Sequence, residues 1–231
     1  MYLVEANSAA SRPFDEACAP GQLPSDRWQD FPPSRLSHHG AACCEIAREW
    51  VLAMDFAQLN GADTSSGPRW LRARYKWGPS PWPMHWCDVV RLKSIDCGGH
   101  ACLSREMFTG RGRTAYPVQL VQRYSDDATD QWREKWGREQ VSCHWLDGEH
   151  IYHEATALLV GDGEIKIWDA SSGSWIDSAQ SGAGYGSVVA VRIVVEADLA
   201  GSLAWASHEL SPNVWNQLAK TAALESLADL R

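Results

Sequence analysis

The chain has 231 residues, of which 45% are hydrophobic, and its formal net charge is -8 at pH 7. Such a chain can bury one large core, which excludes disorder over most of its length. An acidic balance without a basic run excludes the phosphate-neutralising surface of nucleic-acid binders. No stretch approaches the roughly 20 apolar residues that cross a bilayer, and the first residues lack a signal-peptide pattern. We therefore expect a cytoplasmic protein with neither a nucleic-acid nor a membrane partner.

The seven cysteines form neither a secreted disulfide pattern nor a zinc ribbon, because their number is odd and no CxxC pair occurs. We expect free thiols in a reducing compartment. His38, His39, Cys43 and Cys44 together suggest zinc, yet vicinal cysteines rarely provide the geometry of a closed four-ligand site. The sequence thus predicts no metal and no other cofactor.

Residues 1–40 contain five prolines without a sustained period, which indicates an irregular arm, and residues 41–231 are expected to form a single catalytic domain. The first helix is predicted over residues 41–59. Asn60-Gly61 supplies its stop signal. The apolar residues at helical spacing along it are Ile46, Trp50, Ala53 and Ala57.

The next stretch, residues 63–83, is expected to be a loop because it is rich in glycine, proline and serine. A short helical or irregular segment ends near Leu92. A further helix is expected to begin at Cys97 and to continue to Thr109, since glycines follow at 110 and 112. Residues 115–124 then alternate like a strand.

The second half of the chain is expected to be rich in strands. Residues 126–140 are charged and predict a solvated helix, whereas residues 151–160 and 164–169 predict a hairpin around a Gly-Asp-Gly turn. Residues 187–196 predict another strand, and Ser211-Pro212 predicts the start of a final helix. This order indicates an α+β fold, with N-terminal helices and an antiparallel sheet.

Cys97 is the candidate nucleophile. A thiol attacks a carbonyl as thiolate, and the positive end of a helix dipole lowers a thiol pKa. Cys97 stands where a loop meets a helix, and the two glycines behind it leave room for a substrate. Its backbone N–H could also stabilise a tetrahedral oxyanion.

The predicted hairpin supplies a base and a carboxylate. If Val160 pairs with Glu164, paired residue numbers sum to 324 and Ala155 lies opposite Asp169. His153 is then a diagonal neighbour of Asp169 on the same face, within reach of a hydrogen bond. A register slip of one residue would separate them.

These two segments resemble the transglutaminase-like superfamily. In DCGGHACLSREMFTGRGRTAYPVQLV a Cys opens a helix, Ala101 follows by four residues and Gly112 by fifteen; in HEATALLVGDGEIKIWDAS the Asp follows the His by sixteen. The resemblance covers roughly residues 85–176. It implies a papain-like core in which Cys97 forms a thioester, His153 moves the proton and Asp169 orients the His. Two departures are Glu154, where an aromatic is usual, and Ala170, where a proline is usual.

The expected reaction is attack by Cys97 on an amide or related acyl carbonyl of a peptide, protein or small molecule. Transfer of the acyl group to water gives an amidase or peptidase, and transfer to an amine acceptor gives amide formation. The alternative from another class is a catalytically silent binding module that uses the same groove.

Other residues compete for these roles. Cys102 lies further along the helix, His150 has the wrong spacing to Asp169, and His100 is expected to pack or cap locally. An oxyanion donor or groove wall is sought in the tryptophan cluster Trp70, Trp77, Trp82 and Trp86, in which nothing selects one residue.

Overall fold

The structure is a computed structural model that describes residues 33–78, 80, 83–124, 127, 130–131, 134, 150–160, 164–176, 187–194 and 202–206. The helices whose two ends both lie in this part of the chain are α1 (Ala42–Leu59), α2 (Trp70–Arg74), α3 (Trp86–Arg91) and α4 (Cys97–Gly110). The strands are β1 (Leu36–Ser37), β2 (Lys76–Trp77), β3 (Met84–His85), β4 (Ser94–Ile95), β5 (Ala115–Arg123), β6 (His150–Val160), β7 (Glu164–Asp169), β8 (Ser174–Ile176), β9 (Ser187–Val194) and β10 (Ser202–Ala206).

The main sheet has six strands in the order β10-β9-β5-β6-β7-β8, and every neighbouring pair is antiparallel. Two small parallel pairs, β1 with β3 and β2 with β4, join the N-terminal segments to one another. Helices α1 to α4 precede this sheet in the chain. The α+β class with an antiparallel sheet is therefore confirmed.

The predicted hairpin register is confirmed. Val160 pairs with Glu164 and Thr156 pairs with Trp168, so paired numbers sum to 324 as expected. The turn itself, residues 161–163, lies outside the described residues. This register places Asp169, the last residue of β7, beside β6, which carries His153.

Helix α4 is held against the sheet by an apolar layer. Leu103, Met107 and Phe108 from α4 pack in one buried cluster with Leu158 of β6 and Trp168 of β7. A second buried cluster is formed within the sheet by apolar residues of β5, β6, β7, β8 and β9. Burial of this apolar surface fixes the start of α4 relative to β6.

Helix α1 is confirmed to within one residue, and it ends where Asn60 and Gly61 both take positive φ. Its buried positions differ from the apolar stripe that the sequence suggests. Ile46 is 65% exposed, whereas Asp55 is fully buried because Arg111 pairs with it. The buried residues of α1 are Cys44, Ala47, Val51, Asp55 and Leu59.

The expectation of an unbroken loop over residues 63–83 is wrong, since α2 and β2 lie within it. Trp70 begins α2 and packs edge-on against Trp50 of α1, with ring centroids 6.3 Å apart. This tertiary contact stabilises a five-residue helix that local sequence does not predict.

The other predicted elements have mixed outcomes. The segment ending near Leu92, the helix from Cys97 and the strands over 115–124, 151–160, 164–169 and 187–196 are found with bounds that differ by at most two residues. Residues 1–32, most of residues 126–140 and the helix expected from Ser211 lie outside the described residues, and the described positions 127, 130, 131 and 134 are helical. No helix in the described part of the chain has both the length and the apolar content needed to span a membrane.

Candidate active site

Cys97 is the first residue of α4, as predicted. Asp96 caps the helix: its Oδ1 accepts the N–H of Gly99 at 2.8 Å, and its carbonyl accepts the N–H of His100 at 3.0 Å. The N–H groups of Gly99 and His100 thus already have acceptors. Among the described residues, the N–H groups of Cys97 and Gly98 remain in this turn to bind a substrate oxygen. The Cys97 residue itself is only 4% exposed.

Gly99 has a packing role that the sequence does not reveal. A Cβ at this position would lie 3.0 Å from Cβ of Ile95 and 3.3 Å from Cε of Met84. A glycine at position 99 therefore allows the first turn of α4 to pack closely on β3 and β4, apart from any benefit to a substrate.

His153 of β6 contacts both predicted partners. Its side chain lies close enough to the thiol of Cys97 for each group to shift the pKa of the other. Its Nε2 lies 3.2 Å from Oδ1 of Asp169, an ion-pair distance without the angle of a well-aligned hydrogen bond. Since Nε2 is directed at Asp169, Nδ1 is the ring nitrogen that remains for the thiol.

Asp169 is fixed by the turn after β7. Its Oδ1 accepts the hydroxyl of Ser171 at 2.6 Å and the Ser171 N–H at 3.0 Å. Burial by itself raises the pKa of this carboxyl, but the charge and contact of His153 outweigh burial and hold the pKa well below its ordinary value. Asp169 is thus a permanent anion in the buried site.

The interaction with Asp169 raises the pKa of the His153 imidazole. Burial by itself lowers the pKa of His153, but the charge of Asp169, with smaller contributions from Cys97, raises the pKa from 6.5 to about 10. His153 therefore retains its proton at neutral pH.

Burial is the largest effect on the pKa of the Cys97 thiol. It raises the pKa of the Cys97 thiol above the ordinary 9.0, while the hydrogen bond and charge of His153 oppose it without cancelling it. The expectation of a lowered thiol pKa at the helix N-terminus is therefore wrong for this buried cysteine.

A buried polar pair ties α4 to β6 one turn beyond the thiol. The hydroxyl of Thr156 donates to the carbonyl oxygen of Ala101 at 3.0 Å and lies 2.6 Å from the hydroxyl of Ser104. Ser104 also donates to the Ala101 carbonyl at 3.1 Å. These bonds join the helix that carries Cys97 to the strand that carries His153.

Glu154, the neighbour of His153, is a site residue that sequence reasoning did not single out. Its carboxylate accepts the hydroxyl of Tyr152 at 2.8 Å and both the hydroxyl and the N–H of Ser34, at 2.9 and 3.0 Å. Burial raises the pKa of Glu154, against the effect of these hydrogen bonds. The one feature of the sequence that points to this residue is that a glutamate stands at position 154, where an aromatic is usual.

The competing residues lie close by but in other environments. His100 is buried with Nδ1 unpartnered among the described residues, and burial lowers its pKa to about 4, so it stays neutral. Cys102 donates its thiol to the Ser34 carbonyl at 2.9 Å, and burial raises its pKa to about 12. His150 is buried at the start of β6, opposite Arg123. The ion pair with Asp169 is formed by His153.

Two of the four clustered tryptophans, Trp70 and Trp86, belong to one apolar core cluster. Trp86 is buried in the core beside Met84, and Trp70 packs on Trp50. Trp82 lies outside the described residues. The described geometry selects none of the four as an oxyanion donor.

The structure thus brings together the thiol, imidazole and carboxylate that the sequence singled out. Comparison with known proteins gave no match to a family model, to a curated protein or to a solved structure.

Proposed function

We propose that this chain is a cysteine-dependent acyl-transfer enzyme with a papain-like, transglutaminase-like core. The observation that carries the proposal is the contact of His153 with Cys97 on one side and with Asp169, at 3.2 Å, on the other. A buried nucleophile, a base and an orienting carboxylate from three separate elements form the arrangement that activates a thiol.

The first step follows from the charges. The resting pair carries a proton on each of Cys97 and His153, because both pKa values are raised. When the pair loses one proton, the buried Asp169 anion keeps the remaining proton on the imidazole. The reactive form is therefore a thiolate beside an imidazolium, and the thiolate attacks the acyl carbon.

The same residues serve the later steps. The N–H of Cys97, with that of Gly98, donates to the oxyanion that forms on the carbonyl oxygen. His153 gives its proton to the departing amine, which leaves an acyl thioester on Cys97. His153 then takes a proton from water or an amine acceptor as that group attacks the thioester, and the acyl group leaves the thiol.

The substrate class is an amide or related acyl group of a peptide, a protein or a small molecule. The chemistry needs no cofactor. Water as acceptor gives hydrolysis, and an amine gives a new amide; the triad serves both, so the choice depends on which acceptor reaches the thioester.

Trapping the acyl-enzyme tests the proposal. The protein is incubated with a small aryl ester as acyl donor, quenched in acid and analysed by intact mass and peptide mapping. We expect one acyl group on Cys97, absent in Cys97→Ala and retained in Cys102→Ser, the matched control from the same helix. Addition of an amine should then divert the acyl group from acid to amide if amide formation is favoured.

The binding-module alternative makes the opposite prediction. If wild type and Cys97→Ala acquire the same label, or none, over the range of pH in which the thiol ionises, the acyl-transfer proposal is rejected. A groove that only binds would leave all thiols equally unreactive toward the ester.

A further inference from the structure

We propose that His39, Cys43, Cys44 and Cys87 bind one zinc ion in a closed structural site. One ligating atom from each of the four residues can be chosen so that all lie within 4.8 Å of one another. This proposal does not depend on the proposed function, since none of the four residues belongs to the Cys97 site. The sequence predicts no metal because Cys43 and Cys44 are vicinal, but in the structure the side chains of both lie within 4.8 Å of His39 and Cys87, which complete a set of four ligands.

The distances are those of a preformed ligand set. Nε2 of His39 lies 3.1 Å from Sγ of Cys87 and 3.6 Å from Sγ of Cys44. The thiols of Cys43, Cys44 and Cys87 lie within 4.8 Å of one another. In a tetrahedral zinc site, ligand atoms are about 3.5–3.8 Å apart, given Zn–S near 2.3 Å and Zn–N near 2.0–2.1 Å. A small adjustment of side chains would accommodate the ion.

The backbone brings these residues together. In the parallel pair of β1 and β3, Ser37 lies opposite His85. His39 and Cys87 each follow two residues later, so the pairing delivers them to one place. Cys43 and Cys44 occupy the first turn of the 18-residue helix α1, which begins directly after the segment that contains His39.

The chemistry of the set favours zinc over harder cations. Three thiols and one imidazole are soft ligands that suit zinc, and hard cations prefer carboxylate and carbonyl oxygens. Four protein ligands leave no open position, which is typical of structural sites. Cys43, Cys44 and Cys87 are free thiols, so all three sulfurs can bind the ion. His39 and Cys43 are exposed, so the ion has a path from solvent.

The ion would fix a segment that reaches the candidate active site. Ser34, five residues before His39, bonds to Glu154 beside His153. A metal that joins residues 39–44 to α3 would shorten the free length of this segment and hold Ser34 in place.

Metal content and cobalt substitution test the proposal. The full chain is purified without a metal-affinity step from zinc-supplemented medium, and we expect about one zinc per chain. Cys87→Ser and Cys43→Ser should each lose most of it, whereas Cys102→Ser, a free thiol outside the cluster, should keep it. Cys43→Ser guards against misfolding, because the side chain is exposed. Cobalt added to metal-free protein should give intense thiolate-to-cobalt absorption in the near ultraviolet.

Two outcomes overturn the site. One is zinc content that is equal in wild type and in both ligand variants. The other is a wild type without zinc whose Cys43 and Cys44 form a disulfide, with no thiolate-to-cobalt absorption after reduction. Protection of these three thiols from iodoacetamide by added zinc, lost on chelation, supports it.

Discussion

Oδ1 of Asp169 lies 3.2 Å from Nε2 of His153, and both residues are buried. Each charge would be costly alone in this environment, because burial disfavours the ionised form of either group. Together they keep the Asp169 carboxyl ionised and the imidazole protonated. The resulting ion pair lies beside the buried thiol of Cys97, so its charges act on the protonation of the thiol.

The first prediction concerns the pH at which Cys97 becomes reactive. Labelling by iodoacetamide should increase as pH rises through the raised pKa of the thiol. In His153→Ala the midpoint should move to higher pH, because the hydrogen bond and charge that oppose burial are lost. Labelling rates with peptide mapping give both midpoints.

The matched control for this titration is His150→Ala, which removes a buried histidine three residues away on the same strand. It should leave the Cys97 midpoint unchanged. An upward shift in His150→Ala with none in His153→Ala would exchange the roles of the two histidines.

The second prediction isolates the charge of Asp169. Asp169→Asn keeps the shape of the side chain but removes the anion, so the pKa of His153 should fall from about 10 to below 6.5 as burial becomes the dominant effect. NMR titration of the imidazole measures it. Acyl transfer should fall roughly 10²- to 10⁴-fold, the range for loss of positioned acid-base catalysis.

Ser171→Ala is the control for Asp169→Asn, since it removes the 2.6 Å hydroxyl bond to Oδ1 and leaves the charge. Its His153 pKa should stay close to that of wild type. An unchanged pKa in Asp169→Asn would show that the carboxylate does not govern the imidazole.

The third prediction is the pH dependence of stability. The pKa of Asp169 is depressed, so its contribution is present above about 3.8 and is lost as pH falls through the folded value. The pKa of His153 is raised from 6.5 to about 10, so its contribution is complete below 6.5 and is lost as pH rises through 10. The pair should stabilise most between pH 3.8 and 6.5.

Urea unfolding of Cys97→Ala, with and without the further changes His153→Gln and Asp169→Asn, measures this contribution without titration of the thiol. The difference in free energy of unfolding should be largest in that window and should decline toward pH 10. A difference that grows above pH 6.5 would contradict the sign.

The fourth prediction tests the link between α4 and β6. Thr156→Val removes the hydroxyl that bonds to the Ala101 carbonyl, and Ser104 remains as a second donor. We expect a loss of about 1 kcal/mol in the free energy of unfolding. Ser104→Ala with Thr156→Val should not equal the sum of the single changes, because the two hydroxyls share a partner. Strict additivity in a double-mutant cycle would exclude the shared network.

The local part of the site could be predicted from the sequence. The start of α4 is encoded by Asp96 and Cys97, where a capping carboxylate precedes two glycines. The hairpin register follows from the length of its turn, and register alone brings His153 near Asp169. Both are short-range relationships, which is why a pattern along the chain is sufficient.

Contacts between distant segments could not be predicted. Ser34 reaches Glu154 across 120 residues, and Cys87 reaches His39 across 48. No local pattern encodes either contact, because each depends on how separate elements pack. The burial of Asp55 could not be predicted either. A charged residue of α1 is expected on the surface, and Asp55 is buried because it pairs with Arg111 from a distant segment.

The last prediction concerns the buried ion pair of Asp55 with Arg111. Asp55 Oδ2 accepts Nε of Arg111 at 2.6 Å, and Arg111 also donates to the carbonyls of Thr64 and Ser66. Asp55→Ala should cost about 3–5 kcal/mol of folding free energy, because it leaves a buried guanidinium without its counter-charge. The exposed pair of Arg48 with Glu106 is the control, and Arg48→Ala should cost at most about 1 kcal/mol. Urea denaturation measures both, and equal costs would mean that burial adds nothing to the penalty of an unpaired charge at Arg111.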